Sequence, residues 1–150
     1  MESGHIVEIL LIEDNEGDVR LTSEALRDAK TPVRVHTVAT GEDALRFLRR
    51  EPPYSQQRTP HLVLLDLNLP TTSGHEVLKA MKADYKLNHI PVLVISSSDS
   101  PADVNWAYRH QVSAYLIKPS DLDQYFTMVR AIKDLWFRFA VLPRVANASI

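Results

Sequence analysis

A chain of 150 residues, 45% hydrophobic and 24% charged, has enough apolar material for one domain with an ample core and the profile of an ordinary soluble globule. Its net charge is −2 with no concentrated basic run, which excludes a surface built to hold a nucleic-acid backbone; it has no cysteine, which excludes disulfides and cysteine–zinc sites. No apolar run is long enough to cross a bilayer, and the polar start Met1-Glu2-Ser3-Gly4-His5 lacks the parts of a signal peptide, so the expectation is a cytoplasmic protein with no membrane partner.

In chain order, Ile6–Ile12 is β-branched or leucine apart from Glu8 and predicts a central strand ending in Glu13-Asp14-Asn15. Glu16–Ala29 predicts a helix with Val19, Thr22, Leu26 and Ala29 on one face and acidic residues at its start, as the helix dipole favours. Val33–Val38 alternates loosely, as a strand nearer the edge does. Glu42–Arg50 predicts a short helix burying Ala44, Leu45 and Leu48, and the proline-rich stretch 51–60 an exposed loop. Leu62-Val63-Leu64-Leu65 runs straight into Asp66, the pattern of a strand buried on both faces. A helix from His75 to about Asp84 follows, then a strand Val92–Ile95. Ser100 and Pro101 mark the cap and first residue of the next helix. Ala114–Ile117 predicts a fifth strand ending in Lys118-Pro119, and Ser120 a cap for a last helix from Asp121 to about Phe139.

Strands alternating with helices imply parallel pairing through right-handed crossovers, in an α/β, flavodoxin-like (βα)5 doubly wound sheet of order 2-1-3-4-5. The domain is expected to span 1–150, with its core over about 6–139. That order brings Glu13, Asp14, Asp66, Ser96 and Lys118 to one sheet edge, where open α/β sheets place their ligands. An aspartate after a strand often just caps a loop, and Glu13-Asp14 alone could be helix-dipole charge. Together, though, clustered carboxylates repel one another, and a hard divalent cation such as Mg2+ relieves the conflict. Asp14, Asp66 and the Asn68 carbonyl are the expected ligands, with Glu13 acting through a water. Lys118 supplies a fixed positive charge, and Ser96 a hydroxyl donor, as does the Ser97 N–H. Such a site suits phosphoryl transfer onto the Asp66 carboxylate, which needs no base to be nucleophilic.

The set Glu13-Asp14-Asn15, Asp66-Leu67-Asn68-Leu69-Pro70 with Gly74, Ser96, and Tyr115-Leu116-Ile117-Lys118-Pro119 resembles the receiver domains of two-component response regulators. The resemblance implies Asp66 as phosphoacceptor, Glu13 and Asp14 as the acid pair, Lys118 as the phosphate-pairing lysine, Ser96 and Tyr115 as switch residues, and often a cis Lys118–Pro119 peptide. Asp121-Leu122-Asp123-Gln124-Tyr125-Phe126, Leu135-Trp136-Phe137 and Leu142-Pro143 look like the small regulators paired with bacterial and cyanobacterial phytochromes. That implies a phytochrome-like sensor histidine kinase as partner. One departure is Gln111, where many receivers carry glycine; glutamine there costs about 1 kcal/mol in a left-handed cap or forces a different helix end.

With no second domain expected, output should be contact with another, unknown, protein. In the last helix Leu122, Phe126, Val129, Ile132 and Trp136 form one stripe for the sheet. Met128, Ala131, Leu135 and Phe139 form a second, for a combined arc of roughly 220° against ≳100° for a one-sided helix. This predicts a homodimer through Met128, Leu135, Phe139 and Leu142 with the tail 140–150, joined by the fourth helix and fifth strand, unless the tail (Val141, Leu142, Val145) covers the stripe itself. Leu21 and Ala25, off the core face of the first helix, are the expected kinase-docking residues. The protein is not expected to be an enzyme beyond slow self-dephosphorylation. The alternatives are a phosphate-independent dimeric scaffold of the same fold, or a Mg-dependent phosphatase with an aspartate nucleophile; the latter needs an acid where Asn68 stands.

Overall fold

The computed structural model describes residues 5–144. Strands β1 (Val7–Ile12), β2 (Val33–Val38), β3 (Leu62–Leu65), β4 (Val92–Ser96) and β5 (Ala114–Ile117) alternate with helices α1 (Glu16–Leu26), α2 (Gly41–Leu48), α3 (Gly74–Ala83), α4 (Pro101–Arg109) and α5 (Leu122–Lys133). The strands form one parallel sheet in the order β2-β1-β3-β4-β5, as expected. Because side chains alternate across a strand, the apolar runs of β1, β3 and β4 feed two cores. Val7, Ile9, Leu11, Leu62, Leu64, Leu93 and Ile95 pack with Leu26 of α1 and Tyr125, Val129 and Ile132 of α5. Leu10, Ile12, Val63, Leu65, Val92 and Val94 pack with Ala44, Phe47 and Leu48 of α2, Val77, Leu78 and Met81 of α3 and Ala107 of α4.

Several boundaries and faces differ from expectation. Helix α1 stops at Leu26, because Arg27 is extended and Asp28 turns to accept the Thr31 N–H and the Arg138 guanidinium; Ala29 is exposed outside it. Its apolar arc is also wider than one stripe. Leu21 and Ala25 are half-buried against the same core as Val19, because α1 packs on α5 as well as on the sheet. In α2 the buried bulk is Phe47, and Leu45 is only half-buried. The loop 51–60 is not purely exposed: Tyr54 folds back on Phe47 with ring centroids 5.4 Å apart, and Pro60 is buried.

Asp121, not Ser120, caps α5 by accepting the Asp123 N–H. Leu122 is therefore the first helical residue and is 52% exposed, while Tyr125 takes the sheet-facing position and its hydroxyl meets Thr22 Oγ1 at 2.7 Å. Beyond Lys133 the helix continues as a π-helical turn, Asp134–Phe139, with Ala140 N–H closing on the Leu135 carbonyl. Trp136, Phe137 and Leu142 pack against the α1/α5 core, as does Met128. Met128 and Leu142 thus spend apolar surface within their own chain, whereas Ala131, Leu135 and Phe139 remain exposed. Val145 lies outside the described residues. The Lys118–Pro119 peptide is trans; the cis peptide among the described residues joins Pro52 to Pro53.

Candidate functional site

The carboxyl ends of β1, β3 and β5 deliver their polar residues to one place. Lys118, the first residue after β5, puts Nζ 2.8 Å from Glu13 Oε1, 2.8 Å from Asp18 Oδ2 and 3.1 Å from Asp66 Oδ2. Its backbone N–H donates to the Ser96 carbonyl, so the lysine is fixed at both ends. Glu13, Asp66 and Ser96 are buried, and Asp14 is exposed at the rim. Carboxylate oxygens of Glu13, Asp14 and Asp66 lie within 4.8 Å of one another. These are hard oxygen donors bunched at like charge, a set that fits a hard divalent cation. Asn68, named for its carbonyl, donates its N–H to Asp66 Oδ1 at 3.0 Å and is exposed.

The electrostatics follow from burial and charge. Burial pushes the Glu13 carboxyl up to about 7; the Lys118 bond opposes this, and the neighbouring Asp66 charge adds to it. Burial disfavours a charged Lys118, but the bonds it donates to Asp18 and Glu13 and the Asp66 charge outweigh it, and the ammonium is held more firmly than usual.

Backbone packing sets where Asp66 stands. Gly74, the first residue of α3, lies so close to the Asp66 carbonyl and Leu67 Cα that a Cβ there would collide with both, and its N–H donates to the Leu67 carbonyl at 3.0 Å. Ser96 Oγ accepts the Ser98 N–H, and the half-buried Tyr115 donates its hydroxyl to the Ser98 carbonyl at 2.8 Å.

The structure therefore gathers Glu13, Asp14, Asp66 and Lys118 in one pocket, and it ties Ser96, at the end of β4, and Tyr115, in β5, to the same residue, Ser98. Sequence reasoning missed Asp18. It lies in the first turn of α1, directly after the acidic strand end, but first-turn acids already have a reason in the helix dipole. It also missed Ser98, Asp103 and His75, joined across α3 and α4.

Residues 9–130 match the family described as the response regulator receiver domain. The response regulator Rcp1 of Synechocystis sp. is 37% identical over 135 residues, spanning 90% of this chain and 92% of that protein. The phosphorylated cyanobacterial phytochrome response regulator RcpA superposes with a TM-score of 0.91 at 41% identity, covering 93% of this chain and 100% of that one. The Mn(2+)-bound form of Rcp1 gives a TM-score of 0.89 at 36% identity, covering 92% and 99%. An acid cluster beside a lysine, at the carboxyl edge of a 2-1-3-4-5 sheet, and this likeness along almost the full chain lead to one conclusion: the chain belongs to the response regulator receiver domain family.

Proposed function

We propose that Asp66 accepts a phosphoryl group from a sensor histidine kinase of the phytochrome type, and that the chain acts as a single-domain regulator over 1–150, in the cytoplasm, signalling by protein contact. One observation carries the reading: an ammonium group 3.1 Å from a buried aspartate whose neighbours are two further carboxylates. An Asp66 oxygen attacks phosphorus, the O–P bond forms and the P–N bond to the kinase imidazole breaks. Lys118 offsets charge on the equatorial oxygens, and the Ser96 hydroxyl donates to one of them while Tyr115 follows the same loop. Asp14, Asp66, the Asn68 carbonyl and, through a water, Glu13 would hold Mg2+, which supplies positive charge opposite the phosphoryl oxygens. Asn68 has no acidic proton, which favours this over a phosphatase, and self-dephosphorylation is at most slow.

Kinase contact is proposed through Leu21 and Ala25 of α1, half-exposed beside the acidic edge. A homodimer is proposed through Leu135 and Phe139, 52% and 80% exposed, with Met128 and Leu142 at its margin and α4 and β5 alongside. The test of the acceptor is intact mass after incubation with acetyl phosphate and Mg2+. Wild type is expected to gain one phosphoryl mass and Asp66→Asn none; equal labelling of both refutes the assignment. With a phytochrome-type kinase as donor, Leu21→Glu should slow transfer while acetyl phosphate labelling is unchanged, and unaltered transfer removes α1 as the docking face.

A further inference from the structure

The loop from β4 to α4 is held by more bonds than its run of serines suggests, and Ser98 is their hub. Its N–H donates to Ser96 Oγ (3.2 Å), its hydroxyl donates to Asp103 Oδ2 (2.7 Å) and accepts the Ser100 N–H (3.2 Å), and its carbonyl accepts the Tyr115 hydroxyl (2.8 Å). The second oxygen of Asp103 takes His75 Nε2 at 3.2 Å. A carboxylate only accepts, so that ring nitrogen is the donor. The Ser98 hydroxyl, and after it His75, hold the Asp103 carboxyl below the usual carboxylate range, which keeps it an acceptor for both.

His75 follows Gly74, the residue pressed against the Asp66 carbonyl and bonded to Leu67. A continuous set of contacts thus runs from the Asp66 loop through Gly74, His75, Asp103 and Ser98 to Ser96. It links the two loops that carry the acceptor and the hydroxyl. Ser96 is 2% exposed, and its Oγ is engaged by an N–H. A hydroxyl has one proton, and among the described residues no acceptor takes it, so it is the donor left for an anionic oxygen.

We infer that Asp103 is a positioning residue for phosphoryl acceptance: through Ser98 it fixes the Ser96 hydroxyl, and through His75 it sets that hydroxyl against the Asp66 loop. This rests on Asp66 as the acceptor. The competing role for Asp103 is first-turn charge on α4, which stabilises the helix and leaves Ser96 alone.

A double-variant cycle separates them, reading the rate of phosphoryl gain from acetyl phosphate with Mg2+ by intact mass. Asp103→Ala should slow wild type about fivefold, the size of one lost hydrogen bond, and the same substitution in Ser96→Ala should change the rate less than about twofold. His75→Ala should also slow the gain, and His75→Gln, whose amide keeps a donor, should restore it. If Asp103→Ala unfolds, Ser98→Ala removes the same bond from its other end and takes its place in the cycle. An unchanged rate with a lowered melting temperature, or an equal loss with and without Ser96, overturns the inference. If wild type itself gains no phosphoryl group, the acceptor reading fails and takes the inference with it; gain with an additive cycle defeats the inference alone.

Discussion

Glu13 has two demands on it that conflict. It accepts from Lys118, yet it is buried beside Asp66, and the balance leaves its carboxyl titrating at about 7. A raised carboxyl pKa means the folded chain binds this proton more tightly than the unfolded one. Its contribution to stability therefore falls as pH rises from the ordinary value of 4.5 through about 7. A cation must expel that proton to use the pocket. Mg2+ affinity should therefore weaken about tenfold between pH 8 and pH 6, and Glu13→Gln should flatten the profile; a Mg2+ titration by intrinsic fluorescence at each pH measures it. Asp66, Glu13, Asp14 and Lys118 were legible because each ends an apolar run, and topology alone fixes where a strand ends. Asp18 and Asp103 were not, because each sits in the first turn of a helix, where local electrostatics already accounts for an acid. Only the packed fold shows that one reaches Lys118 and the other Ser98.

Among the elements, helix ends show how sequence and backbone settle a disagreement. Gln111 follows the cap of α4 at φ 67°, in the left-handed region. Its N–H bonds to the Tyr108 carbonyl and that of Val112 to Ala107, a complete Schellman motif. The glutamine has therefore kept the glycine geometry and carries its cost, instead of ending the helix elsewhere. Gln111→Gly is expected to stabilise the fold by about 1 kcal/mol, read as a raised urea midpoint at unchanged slope. Arg50 repeats the device after α2, at φ 58°. The strands were legible nearly to the residue, since buried apolar runs bounded by turns have few alternatives. The last helix was legible only in extent. A 3.6-residue period assumes one geometry throughout, and the π-helical turn after Lys133 re-aims Leu135 to Phe139 without any glycine or proline to mark it.

For the molecule as a whole, α5 and its extension decide whether one copy is enough. Trp136, Phe137 and Leu142 close over the core between α1 and α5, and Arg138 and Lys133 pair with Asp28 at its edge. Leu135 and Phe139 are left outside this closure, as is Val141 at 95% exposure. Exposed apolar side chains of this size support the proposed homodimer contact. Light scattering at micromolar concentration should return the mass of two chains for wild type and of one for Leu135→Glu with Phe139→Glu; a monomeric wild type rules the interface out. Fold class was legible from alternation, and the strand order from the known five-stranded doubly wound arrangement that the alternation fits. Which apolar residues stay outside was not, because Met128 and Leu142 differ from Leu135 and Phe139 only in what the rest of the chain places over them.

Far from the acidic pocket, Glu8 is 3% exposed in the middle of β1's entry and accepts from Arg34 Nη1 and meets His36 Nε2, both at 2.8 Å. Its neighbour across the ladder is Arg34 itself. An outer strand slipped by two residues would still point its valines the right way, so greasy contacts alone cannot tell the correct alignment from that error. A two-residue slip would bring Pro32 opposite Glu8 in one direction and His36 in the other, and both would move the Arg34 guanidinium from its place across from the carboxylate. The carboxylate thus favours the native alignment of β2 over either slip, because there it meets the guanidinium and the imidazole together.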